Sequence, residues 1–128
     1  MMESVAIVPT SRANGETPAL AVLDIVHLER MTFGDHNLER EVLELFERQA
    51  AMLIDRMRRA DPKAMAASAH VLKGSARGIG AWTIARVAQA LELAAASSSR
   101  EATDAAFEAL TEKVAEARKA IARRLRAN

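Results

Sequence analysis

Four long stretches of this sequence set apolar residues at alternating intervals of three and four, with breaks of only a few residues between them. That spacing winds one apolar face along a helix, and short breaks make consecutive helices antiparallel neighbours. The first stretch carries Leu38, Val42, Leu45, Gln49, Met52 and Arg56, flanked by Phe46, Leu53 and Met57, and runs to about Arg59. The second, from Pro62 to about Arg77, carries Met65, Ala69, Leu72 and Ala76. The third, about Ala81 to Ala96, carries Ile84, Ala88, Leu91 and Ala95. In the fourth, Phe107, Leu110, Val114, Ala117, Ile121 and Leu125 continue almost to the last residue.

The breaks carry their own chemistry. Asp24 is an N-cap for a short apolar helix from Ile25 to about Met31, and Thr17-Pro18 is an earlier cap-plus-first-turn signal. Gly34-Asp35 breaks and restarts the chain. Asp61-Pro62 closes one helix and opens the next, since proline loses nothing at a first helical position. Gly78-Ile79-Gly80 is the expected turn after the second stretch. Ser97-Ser98-Ser99 is a loop in which Ser98 and Glu101 have capping-box spacing. Residues 1–17 mix Ser, Thr, Pro, Asn and Gly around a short apolar piece, Val5 to Val8, and read as a flexible tail. The expectation is an all-α fold: an antiparallel four-helix bundle with a short additional N-terminal helix, spanning residues 18–128. Nothing reads as a strand. With three Phe, one Trp and no Tyr, the alanine-rich apolar set favours closely packed helices.

Several function classes fall away on composition. The chain has no cysteine, which removes disulfides, zinc–thiolate sites and thiol nucleophiles. No apolar run approaches the ~18 residues of a membrane span, and the N-terminus lacks the pattern of a signal peptide, so a cytoplasmic protein without membrane contact is expected. A formal net charge of +1 argues against a nucleic-acid binder driven by bulk electrostatics. The basic residues from Arg118 to Arg126 are balanced by upstream acids and suit a helix C-terminus. Met52, Met57 and Met65 read as core filling, and the Glu-x-x-His pairs of metal-binding bundles are absent, so no metal is expected. The glycines of this region are not a phosphate loop, because no Gly-Lys-Ser/Thr follows them.

Chemistry concentrates in Ala69-His70-Val71-Leu72-Lys73-Gly74-Ser75. On a helix, His70, Lys73, Gly74 and Arg77 share a face away from Ala69, Leu72 and Ala76, so they are expected to point to solvent. Glycine inside a helix costs about 1 kcal/mol relative to alanine, and at Gly74 its return is space beside His70. A neutral imidazole is a competent nucleophile at neutral pH. Lys73, one turn on, offers a point charge to the oxygens of an added phosphoryl group. If the turn centres near residue 80 or 81, His70 and Glu92 lie at the same level of an antiparallel pair. Glu92 can then accept the Nδ1–H and leave Nε2 as the attacking atom. Arg77, Gly78, Trp82 and Arg86 are candidate partner contacts. His27 and His36, without such neighbours, read as surface or capping residues.

The run His70-Val71-Leu72-Lys73-Gly74-Ser75-Ala76, followed by Ile79-Gly80-Ala81, resembles the signature of the histidine-containing phosphotransfer (HPt) domain family. Gly34-Asp35 through Leu45-Phe46 is similar to that family's second helix and Leu91-Glu92 to its fourth, so the resemblance covers about residues 22–125. It implies a phosphohistidine carrier, with His70 as phosphoacceptor, Lys73 as stabilising cation, Gly74 as the clearance residue and Glu92 as the imidazole's hydrogen-bond partner. It further implies response-regulator receiver domains and a hybrid histidine kinase as partners, and no cofactor of its own, with Mg²⁺ on the receiver. Ala76 replaces a common second serine, and Trp82 is an unusually large residue for the start of the fourth helix. A monomer is expected, since the bundle closes its own core. A bundle that binds receivers as an adaptor without transferring phosphate is the alternative.

Overall fold

The computed structural model describes residues 22–127. The tail expected over residues 1–17 and the cap signal at Thr17-Pro18 lie outside the described residues. Five α-helices follow in order: α1 (Ile25–Met31), α2 (His36–Arg58), α3 (Pro62–Ile79), α4 (Trp82–Ala96) and α5 (Arg100–Ala127). No strand occurs among the described residues. The last four form the bundle: α2 packs on α3, α3 on α4, α4 on α5, and α5 closes back onto α2. The short α1 packs against α3. Ion pairs between α2 and α5 report their antiparallel sense, because Glu39 meets Arg124 whereas the later Glu47 meets the earlier Arg118.

Aspartates start three of the helices. Asp24, Asp35 and Asp61 each turn a side-chain oxygen onto first-turn backbone N–H groups that have no intrahelical partner. The cap of α5 is one residue later than the sequence suggests. Ser98 takes φ +65° and turns the chain, whereas Ser99 Oγ accepts from Ala102 N at 3.1 Å, so no Ser98–Glu101 box forms. The helix α3 also runs on through Gly78 to Ile79, because Ile79 is drawn into the core. Gly80 alone makes the turn. It sits at φ +86°, and paired bonds from Gly80 N to Arg77 O and from Ala81 N to Ala76 O close the helix end. A Cβ there would also meet Asp24 Cβ and its carbonyl oxygen at 3.0 Å, so glycine is required for space as well as for φ.

The buried stripes of α3, α4 and α5 are those the spacing predicts, with Met65, Phe107 and Leu125 packed on the core as its half-buried edge. Helix α2 differs. Its core face is Leu43, Phe46, Ala50, Leu53 and Met57, rotated by one residue from the expected Leu38–Val42–Leu45–Gln49–Met52–Arg56 stripe. Leu45 is 60% exposed and Met52 49%, so Met52 is not core filling. Two apolar stripes lie side by side on α2, and packing selects the one that does not bury Gln49 and Arg56.

Candidate functional site

The middle of α3 carries the site, and α4 completes it. Ala69, Leu72 and Ala76 are fully buried, which fixes the rotation of α3 and turns His70 outward. The His70 side chain is 67% exposed, and its Nδ1 donates to Glu92 Oε2 at 3.0 Å. The opposite side of α4 is anchored by Ile84, Ala88 and Leu91, so Glu92 is held at the level of His70, as the position of the turn predicts.

Lys73 departs from expectation. Its side chain is only 15% exposed, and its Nζ lies 2.7 Å from Glu92 Oε1 across the α3–α4 seam. One carboxylate therefore serves two neighbours, an imidazole on one oxygen and an ammonium on the other. Burial pushes the Glu92 carboxyl up, but the hydrogen bonds and charges of Lys73 and His70 outweigh it and hold the group below its ordinary 4.5. Glu92 thus stays an anion, as an acceptor of Nδ1–H must be.

Gly74 is exposed, one turn beyond His70, and a Cβ built on it meets nothing within 4 Å. No contact within the described chain demands glycine there. Gly78 is equally unobstructed, but it is a helical residue and not part of the turn. Arg77 is exposed and reaches Gln89 Oε1 at 3.4 Å. Arg86 is exposed on α4.

Trp82 is engaged inside the molecule. Its Nε1 donates to Asp24 Oδ2 at 2.8 Å, and its ring meets the His27 ring edge-on with centroids 4.9 Å apart. His27 in turn donates from Nε2 to the Gly78 carbonyl at 3.1 Å, so it is a half-buried tether and not a surface or capping residue. Burial pushes the Asp24 carboxyl up, yet the Trp82 and His27 hydrogen bonds leave it below its ordinary value. Together these contacts fasten α1 to the end of α3. His36 is exposed in the first turn of α2.

Sequence reasoning missed two features. Arg124 pairs with Glu39 and Glu29, residues 85 and 95 positions away, for which no local pattern gives a signal. The exposure of Leu45 and Met52 on α2 had no signal in the sequence, where both were legible only as core. Among the described residues no helix is long and apolar enough to cross a membrane, and no group of three or more His, Cys, Asp or Glu is arranged to hold a metal ion.

The family model of the Hpt domain matches residues 41–120, which takes in most of the second helix, the third and fourth, and most of the fifth. No curated protein and no solved structure matches the chain. The matched span is well over half of the chain and includes the whole helix pair that presents His70 against Glu92. The chain therefore belongs to the Hpt domain family, the phosphocarriers of histidine phosphotransfer in two-component signalling.

Proposed function

We propose that this protein is a phosphorelay intermediate that accepts a phosphoryl group on Nε2 of His70 from a receiver-domain aspartate and passes it to a second receiver. The observation that supports this best is the hydrogen bond from Nδ1 to Glu92, which turns one ring nitrogen inward and leaves the other toward solvent. In the forward step Nε2 attacks the phosphorus of the aspartyl phosphate. The N–P bond forms as the acyl P–O bond breaks, and the aspartate leaves as carboxylate. The ring gains a positive charge, its Nδ1 proton stays opposite the Glu92 carboxylate, and that anion offsets the charge. Lys73 meets the anionic oxygens of the product from one turn away, drawn from its pairing with Glu92.

Positioning and charge neutralisation dominate phosphoryl transfer, and here the receiver supplies most of both, including its Mg²⁺. This chain supplies an oriented nucleophile and room around it. The donor is the receiver of a hybrid histidine kinase in the cytoplasm, and a monomer suffices because one chain holds all these groups. The direct test is incubation with a panel of receiver domains charged with acetyl phosphate and Mg²⁺, following acid-labile label onto the chain. Binding of a receiver without label would show an adaptor instead.

Glu92 and Gly74 give separate expectations. Glu92→Ala should let the His70 ring populate both neutral tautomers, whereas Glu92→Gln should keep one, since its amide oxygen still accepts Nδ1–H. Ring ¹⁵N shifts at high pH read this directly, and identical spectra in wild type and both variants would remove Glu92 from the site. Gly74→Ala should stabilise the fold by up to ~1 kcal/mol, because glycine is a poor helix former and the added methyl meets nothing. Gly74→Leu should fold equally well yet slow transfer by at least about tenfold. Wild-type transfer rates in the leucine variant would show that clearance is not what this glycine provides.

A further inference from the structure

We propose that the cleft between α2 and α5 binds an aliphatic carboxylate, with its chain on Ile54 and Val114 and its head on Arg58. His70 and Glu92 meet across the opposite seam, between α3 and α4, so this site stands apart from phosphotransfer.

The α2–α5 seam is the loosest of the four that close the bundle. Small side chains leave it open. Ala51 on α2 and Ala115 on α5 line a cleft of about 300 Å³, and the buried Ile54 and Val114 form its floor. Most polar groups beside that floor are already committed. Asp55 is paired with Arg59 at 2.7 Å, and Thr111 Oγ1 donates to the Phe107 carbonyl at 3.0 Å. Arg118, at the far end, lies 3.6 Å from Glu47. Arg58 is the exception. Its guanidinium lines the cleft but makes no ion pair or hydrogen bond among the described residues, and its Cζ stands 5.8 Å from the centroid of the Phe107 ring. The ring holds the cation by its face, which leaves the N–H edge free to donate.

Size, floor and charge together select the occupant. A cleft of about 300 Å³ suits a small ligand, whereas a partner helix, about 10–12 Å across, would have to part α2 from α5. The floor is apolar, so the body of the ligand is apolar too. One unpaired guanidinium at one end matches one anionic head, and a carboxylate meets its planar fork with two parallel hydrogen bonds. From Arg58 to Ala51 the cleft follows α2 for seven residues, roughly 10 Å at 1.5 Å per residue, which an extended chain of about eight to ten carbons spans. An inorganic anion would leave the floor uncovered, and a neutral chain would leave the cation unpaired.

The test titrates the full chain with sodium decanoate, below its micelle concentration, and follows the side-chain methyl signals by NMR. Ile54 and Val114 should shift saturably, whereas Leu45 and Met52, exposed apolar residues elsewhere on α2, should not. Arg58→Ala should weaken binding at least about tenfold, as should decanol in place of decanoate, with Arg118→Ala within about twofold of wild type. Ala51→Leu, which fills the cleft, should abolish the saturable shifts while circular dichroism shows the helices intact. Absence of saturable shifts at Ile54 and Val114 in the wild-type chain, or wild-type affinity in Arg58→Ala or Ala51→Leu, would overturn the site. Shifts that spread to Leu45 and Met52 would mean adsorption on any apolar surface, which defeats it equally.

Discussion

His70→Gln abolishes label uptake from every receiver and leaves helical content and melting temperature nearly unchanged: that is the expected result of the most decisive substitution. Loss is complete because glutamine has no nucleophilic nitrogen with a free lone pair. Stability is spared for reasons visible in the fold. The side chain is 67% exposed, it lies off the buried Ala69–Leu72–Ala76 stripe, and glutamine is at least as good a helix former as histidine. Glu92 is not orphaned by the change, since Lys73 remains 2.7 Å from its other oxygen. The change should therefore stay within about 0.5 kcal/mol. Neither remaining histidine is arranged to take over. His27 has its Nε2 on the Gly78 carbonyl and its ring against Trp82. His36 occupies the first turn of α2, on a different helix from the Lys73–Glu92 pair. Label retained by His70→Gln, on whichever residue, would mean that the acceptor is not His70.

What could be read in the sequence was what local chemistry decides. Asp24, Asp35 and Asp61 cap helices because a short carboxylate reaches first-turn N–H groups within its own few residues. The His70–Glu92 pair was also legible, since a tight turn at Gly80 fixes which residues of an antiparallel pair share a level. Errors arose where tertiary packing chose between local options. On α2 two apolar stripes satisfy the same spacing, and the choice fell to the face that buries Phe46 and Leu53 in place of Gln49 and Arg56. Lys73 looked solvent-facing from α3 alone, yet its long stem crosses to a carboxylate on α4. Trp82 and His27 looked available because their partners, Asp24 and the Gly78 carbonyl, belong to other elements.

The same kind of distant contact underlies the largest expected effect on stability. Glu39 is 2% exposed in the first turn of α2, and Arg124 near the end of α5 meets it with two hydrogen bonds, Nε to Oε2 at 2.7 Å and Nη2 to Oε1 at 3.0 Å. The same Nη2 reaches Glu29 of α1 at 3.0 Å, so one guanidinium ties together three helices. Its hydrogen bonds with Glu39 raise the Arg124 pKa far above its ordinary value against the opposing effect of burial. Arg124→Met keeps the stem but strips a buried carboxylate of this cation. Breaking buried pairs from one side costs about 3–5 kcal/mol, and the partial exposure of Arg124 places this case at the lower end, about 3 kcal/mol. For a domain of this size that is a fall in melting temperature of about 10 °C. Glu39→Leu combined with Arg124→Met should recover most of the loss, because a well-packed apolar pair needs no cation to offset a buried charge. Transfer through His70, assayed well below the lowered melting point, should be unaffected in both variants, since the α3–α4 pair is held by its own core contacts. A melting temperature within about 1 °C of wild type in Arg124→Met would show that the helix ends are secured elsewhere.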